Sequence, residues 1–164
     1  MKINSFNDLY LAELQELVSV EGQLAQSLLS MAEMASLPAL KNALVRHRQD
    51  TELQRERLES ILQKHGANPR QHTDQAMQAL THETEKMLGM VEGSGLRDAA
   101  LIASVQRLKH YEIAAYGIAA AFAGQLGLRD DENALHDSLE AEKRADAMLN
   151  LFAKREVNPN AVAA

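Results

Sequence analysis

With 164 residues, a formal charge of −6 and 24% charged side chains, the chain has the size of one domain with a real core. Its acidic balance, without a dominant basic patch, counts against nucleic acid as a partner. The absence of cysteine excludes disulfides, zinc fingers and thiolate-bound iron–sulfur clusters.

Ala, Leu, Glu, Gln and Met are abundant, while three prolines and 4% aromatics are sparse, a balance that predicts an all-α protein. No apolar run reaches membrane-spanning length, and MKINSFNDLY lacks the layout of a signal peptide. The expectation is a cytoplasmic protein without a membrane partner.

Taken in order, the first predicted helix starts at Asn4-Ser5, where Ser5 and Asp8 have capping-box spacing, and runs to about Ala35. Its apolar stripe is Leu14, Leu17, Glu21, Leu24, Leu28 and Met31, with one carboxylate in an aliphatic series. Ser36-Leu37-Pro38 breaks it, and Pro38 suits the first turn of the next helix. The second helix is predicted from Pro38 to His65, stopped by Gly66. Its stripe reads Leu40, Leu44, His47, Thr51, Gln54, Leu58 and Ile61, polar in the middle and aliphatic at both ends. Asp50, three residues after His47 and four before Gln54, shares that face. A shorter amphipathic helix from about Thr73 to Glu92 reads as a crossover element, ended by Gly93-Ser94-Gly95.

The third bundle helix is predicted from Leu96 to Leu126, with Gly127 as its C-cap. Its stripe is Val105, Leu108, Glu112, Ala115, Ala119 and Phe122, again with one acid where a leucine is expected. The fourth runs from Asp130 to about Arg155 with Leu135, Leu139, Glu142, Asp146, Leu149 and Phe152 in line. The expected domain is therefore 1–156, a four-helix bundle with an extra helix in a long crossover, followed by a flexible tail at 157–164.

The core acids repeat. Glu21 and Asp50 lie 29 residues apart, Glu112 and Glu142 lie 30 apart, and Asp50 and Glu142 are each followed four residues on by a polar group, Gln54 and Asp146. A carboxylate in an apolar stripe must be paired, protonated or bound to a cation. Four such groups at matching depth on four helices point to a metal centre of the kind found in di-iron and di-manganese bundles. Carboxylates with an imidazole suit iron, manganese or zinc. The order is unusual: His47 precedes Asp50 by three, where the common motif places histidine three after the acid. The metal candidates are Glu21, His47, Asp50, Glu112 and Glu142, with Gln54, Tyr116 and Asp146 as groups that orient them.

The stretches SVEGQLAQSL, HRQDTELQRERLE, LRDAALIASVQRLKHYEIAAYG and LEAEKRADAML resemble the YciE/YciF-like family of bacterial ferritin-like proteins. The resemblance spans nearly the whole chain. It implies a ferritin-like bundle, a di-metal centre, a homodimer and an association with stress, without an agreed reaction. The family's acidic positions fall on Glu21, Asp50, Glu112 and Glu142, with His47 alongside. Asp50 stands where the family usually has Glu, and Lys109 where it often has an acid.

Two functions fit these residues better than iron storage in a cage, for which nothing in the sequence specifies assembly. One is a pair of metal ions, iron first, with manganese or zinc as alternatives, reacting with oxygen or peroxide. The other is a non-enzymatic structural or interaction bundle, acting as a dimer under stress. No catalytic residue is identifiable.

Overall fold

The computed structural model describes residues 2–163. Among the described residues six α-helices follow in order: α1 Phe6–Met34, α2 Pro38–Lys64, α3 Gln75–Gly89, α4 Ser94–Gln125, α5 Arg129–Phe152 and α6 Asn158–Ala163. α1 pairs along its length with α2, and α4 with α5; α1 also packs on α4, and α2 touches α5 only sparsely. The crossover helix α3 lies against α1 and α4. This is the four-helix bundle with an additional crossover helix that the sequence predicts.

Local chemistry sets the ends. The Ser5 hydroxyl accepts from the Asp8 N–H at 3.1 Å, and the Asp74 carboxylate accepts from the Met77 N–H at 2.5 Å, capping α1 and α3. Gly66 and Gly127 follow α2 and α4 with φ of 68° and 71°. Glycine tolerates that left-handed geometry, which reverses the chain at little cost. Buried Asp98 at the start of α4 accepts from the Ser36 and Leu37 N–H groups at 2.8 and 3.0 Å, fixing the α1–α2 turn.

The core has two apolar clusters. One gathers Val20, Leu24, Leu28, Leu40, Leu44, Val105 and Leu108; the other gathers Leu14, Leu17, Leu58, Leu62, Tyr116, Ala119 and Leu135. Between them lies a polar layer. Near the far end of the second cluster, buried Asp131 binds Tyr10 Oη at 3.2 Å, Lys64 Nζ at 3.1 Å and His65 Nε2 at 2.6 Å, tying α1, α2 and α5 together. Burial alone would raise its pKa, but the bonds from His65 and Lys64 hold it below the usual value.

The C-terminal expectation needs correction. Residues 157–163, predicted as a flexible tail, continue α5 through a π-helical turn, Ala153–Val157, into α6. Ala153 and Val157 are buried in the first apolar cluster. α6 lies so close to α4 that a Cβ on Gly95 would stand 3.3 Å from Ala161 Cα. Apolar burial and that close approach fold a segment whose Asn-Pro-Asn composition suggested a loop. Ala164 lies outside the described residues.

Candidate metal centre

The polar layer is built from α1, α2, α4 and α5. Glu21, Glu112, Glu142, His47, Gln54 and Lys109 are all buried in it. Each lies on the inward face of its helix, between residues of the two apolar clusters.

Three of the predicted ligands converge. One ligand atom each from His47, Glu112 and Glu142 lies within 4.8 Å of the others. Glu142 accepts from Gln54 Nε2 through Oε1 at 2.8 Å and forms an ion pair with Lys109 through Oε2. The Lys109 ammonium also lies 3.8 Å from Glu112 Oε2. Among the described residues, both oxygens of Glu112 and both ring nitrogens of His47 lack a hydrogen-bond partner.

Glu21 is buried but engaged elsewhere. The Tyr116 hydroxyl donates to its Oε1 at 2.5 Å. Burial raises the Glu21 pKa to about 8; the Tyr116 hydrogen bond pulls it down and the Glu142 charge pushes it up. Burial raises Glu112 well above the carboxylate range, with Lys109 opposing and the other two glutamates adding. Burial lowers His47 well below 6.5, and the Lys109 charge lowers it further, leaving a neutral ring. The layer is thus close to neutral without a metal.

Asp50 and Asp146 stand apart from this group. Asp50 is exposed at the rim of a cleft between α2 and α5. The inward line of α2 runs through Leu44, His47, Thr51, Gln54 and Leu58, and Asp50 is roughly 80° around the helix from its centre. Its short side chain does not recover that angle. Asp146 is half-buried and binds outward, to Gln106 Nε2 at 3.3 Å and His110 Nε2 at 3.3 Å. Gln54 and Tyr116 each donate a hydrogen bond to a core acid, Glu142 and Glu21 respectively.

Lys109 is the member that the α4 stripe reading left out. Its signal was present: it lies three residues before Glu112 and beside Leu108, within a wide inward face. That face continues through Tyr116, Ala119 and Ala123 rather than through Ala115 and Phe122.

A family model described as a domain of unknown function, DUF892, matches residues 5–162. The chain belongs to the DUF892 family. Within the DUF892 family it is similar to protein YciF of Escherichia coli strain K12, 33% identical over 162 residues that cover 98% of each chain. The crystal structure of the E. coli stress protein YciF matches with a TM-score of 0.89, over 95% of this chain and 99% of that one. YcfI of Rhodopseudomonas palustris matches with a TM-score of 0.87 at 34% identity, over 91% and 95% of the two chains. A Xanthomonas campestris protein, 16% identical with a TM-score of 0.78, shares the fold.

The donors decide how well the metal implied by the ferritin-like resemblance fits this DUF892 member. Among the described residues one group of three converges, and it offers an imidazole and two carboxylates with orphaned ligand atoms. That set fits one divalent ion. A second ion would have Glu21 Oε2, since Tyr116 takes only Oε1, but Asp50 faces the cleft rim and no second group of three donors converges among the described residues. The residues do not fit a pair. Even the single ion must take Glu142 from Lys109.

Proposed function

We propose that this DUF892 chain is a stress-associated bundle protein whose core binds one divalent metal on His47, Glu112 and Glu142. The stress association rests on its likeness to YciF, called a stress protein. The metal rests on one observation: three buried donors within 4.8 Å, two of them without any other partner among the described residues. A buried polar group without a partner is costly, and a cation would satisfy one ring nitrogen of His47 together with the Glu112 carboxylate. Iron or manganese held there would supply redox chemistry toward oxygen or peroxide, whereas zinc would only stabilise the bundle. The protein's part would be to hold the carboxylates at the core, keep His47 neutral and shield the centre from bulk water. Dimerisation, implied by the family resemblance, belongs to the same proposal and is read by sedimentation equilibrium.

The Lys109–Glu142 ion pair favours a second reading, a metal-free structural bundle in which the ammonium supplies the positive charge. Metal content of protein loaded anaerobically with iron(II) separates the two. About one ion per chain in the parent, lost in Glu112→Ala, supports the metal reading. No ion in either protein leaves the structural bundle.

A further inference from the structure

We propose that the cleft between α2 and α5 is a binding site for a small uncharged amphiphile, an aliphatic chain with a hydroxyl or carboxamide head. Its cavity volume is about 410 Å³, within the roughly 300–1,000 Å³ range of small-molecule sites. It exists because alanines face one another across the seam. Ala39 and Ala43 on α2, and Ala141 and Ala145 on α5, stand where longer side chains would close the gap. Leu44 and Leu149 line its depth. The walls therefore take hydrocarbon.

The floor sets the head group. His47 and Gln54 line the cleft with 8% and 6% exposure. Both ring nitrogens of His47 and Oε1 of Gln54 lack a partner among the described residues. Gln54 Nε2 is already given to Glu142 Oε1, so the orphaned oxygen is left as an acceptor. An imidazole adds a donor and an acceptor. A hydroxyl or a carboxamide both donates and accepts, and satisfies such a set; a bare hydrocarbon leaves it unpaired. A charged head at the floor is disfavoured, because Lys109 and Glu142 already balance each other there and the other charged lining residues, Arg46 and Asp50, are exposed at the rim. The site needs no metal.

The test is a methyl and amide NMR titration of the chelator-treated full chain with 1-octanol, beside octanoate and octylamine. Metal content is measured separately, so failure of either reading leaves the other standing. Saturable shifts at Ala43, Leu44, Ala145 and Leu149, with the two charged analogues at least tenfold weaker, support the site. Ala145→Trp fills it from one wall and Ala43→Trp from the other. Each lowers 1-octanol affinity at least tenfold, and the two together guard against misfolding of one. His47→Phe weakens 1-octanol about fivefold and narrows its advantage over the charged analogues. No saturable shift, or unchanged affinity in both tryptophan variants, overturns the proposal. So does a dimer that covers the cleft and is broken by Ala145→Trp.

Discussion

The ammonium of Lys109 and the carboxylate of Glu142 form an ion pair in the middle of the bundle, where neither side chain is more than 2% exposed. The partners come from different helices, α4 and α5. Glu112, one turn along from the lysine, lies at the edge of the same contact.

Lys109→Met tests what that pair carries. It leaves the Glu142 carboxylate buried without its counter-charge, a loss of about 3–5 kcal/mol when one partner of a buried pair is removed. Lys109→Met/Glu142→Met removes both charges and should recover most of the loss. Urea denaturation in chelator reads both values. Adding manganese should restore stability to the single variant and not to the double, since only the single variant keeps Glu142. A single variant as stable as the parent in chelator would mean that the pair contributes nothing.

Stability of the metal-free protein should fall between pH 6.5 and 8. Glu21 titrates near 8 in the fold, against an ordinary value of 4.5. The folded state therefore holds a proton that the unfolded state has lost, and stability declines with pH until Glu21 itself ionises. Glu112 acts in the same direction. His47 is lowered from 6.5 and acts oppositely, adding stability as pH rises toward 6.5 and nothing above it. Glu21→Gln keeps a neutral side chain at every pH, so its denaturation midpoint should drop less across that window. Parallel slopes for parent and variant would sink the assignment.

The α1–α2 turn should depend on Asp98. Asp98→Ala strands the Ser36 and Leu37 N–H groups that its carboxylate accepts from. The expected cost is about 1–3 kcal/mol in thermal denaturation, and Asp98→Asn, which keeps one acceptor oxygen, should lose less.

Two glycines near the end of α4 should respond differently to alanine. Gly127, at φ 71°, forces a side chain into left-handed backbone, a cost of about 1–2 kcal/mol. Gly124 lies within the helix, where alanine gains about 1 kcal/mol. Its new Cβ would stand 2.7 Å from Glu132 Oε1, the free end of a long side chain that can swing away. Gly124→Ala should thus raise the melting temperature slightly while Gly127→Ala lowers it.

The bundle was readable because leucine spacing, caps and glycine stops agree along each helix. Glu21, His47, Glu112 and Glu142 were readable because each interrupts an apolar stripe. Asp50 lies outside the converging group because spacing places it on a face but not at an angle, and it sits exposed beside the inward line. Lys109 stood out only as a departure from the family pattern, because lysine at the border of a stripe is ordinarily a solvated residue whose stem covers the core. Asp98 and Asp131 were not legible as buried. Their partners lie 61 to 121 residues away in sequence, and only the assembled bundle brings them together.

The doubled hairpin plan is no longer symmetric at its centre. The α1–α2 half contributes a neutral ring, an amide and the acid held by Tyr116, while the α4–α5 half contributes the lysine and both remaining glutamates. The halves have become complementary parts and are not interchangeable copies. Two copies of the first hairpin would bring no buried lysine to the joint, and two of the second would crowd two ammonium groups among four acids. A chain cut in the crossover should therefore reassemble only as one half with the other, so the polar layer works as a lock that enforces correct pairing.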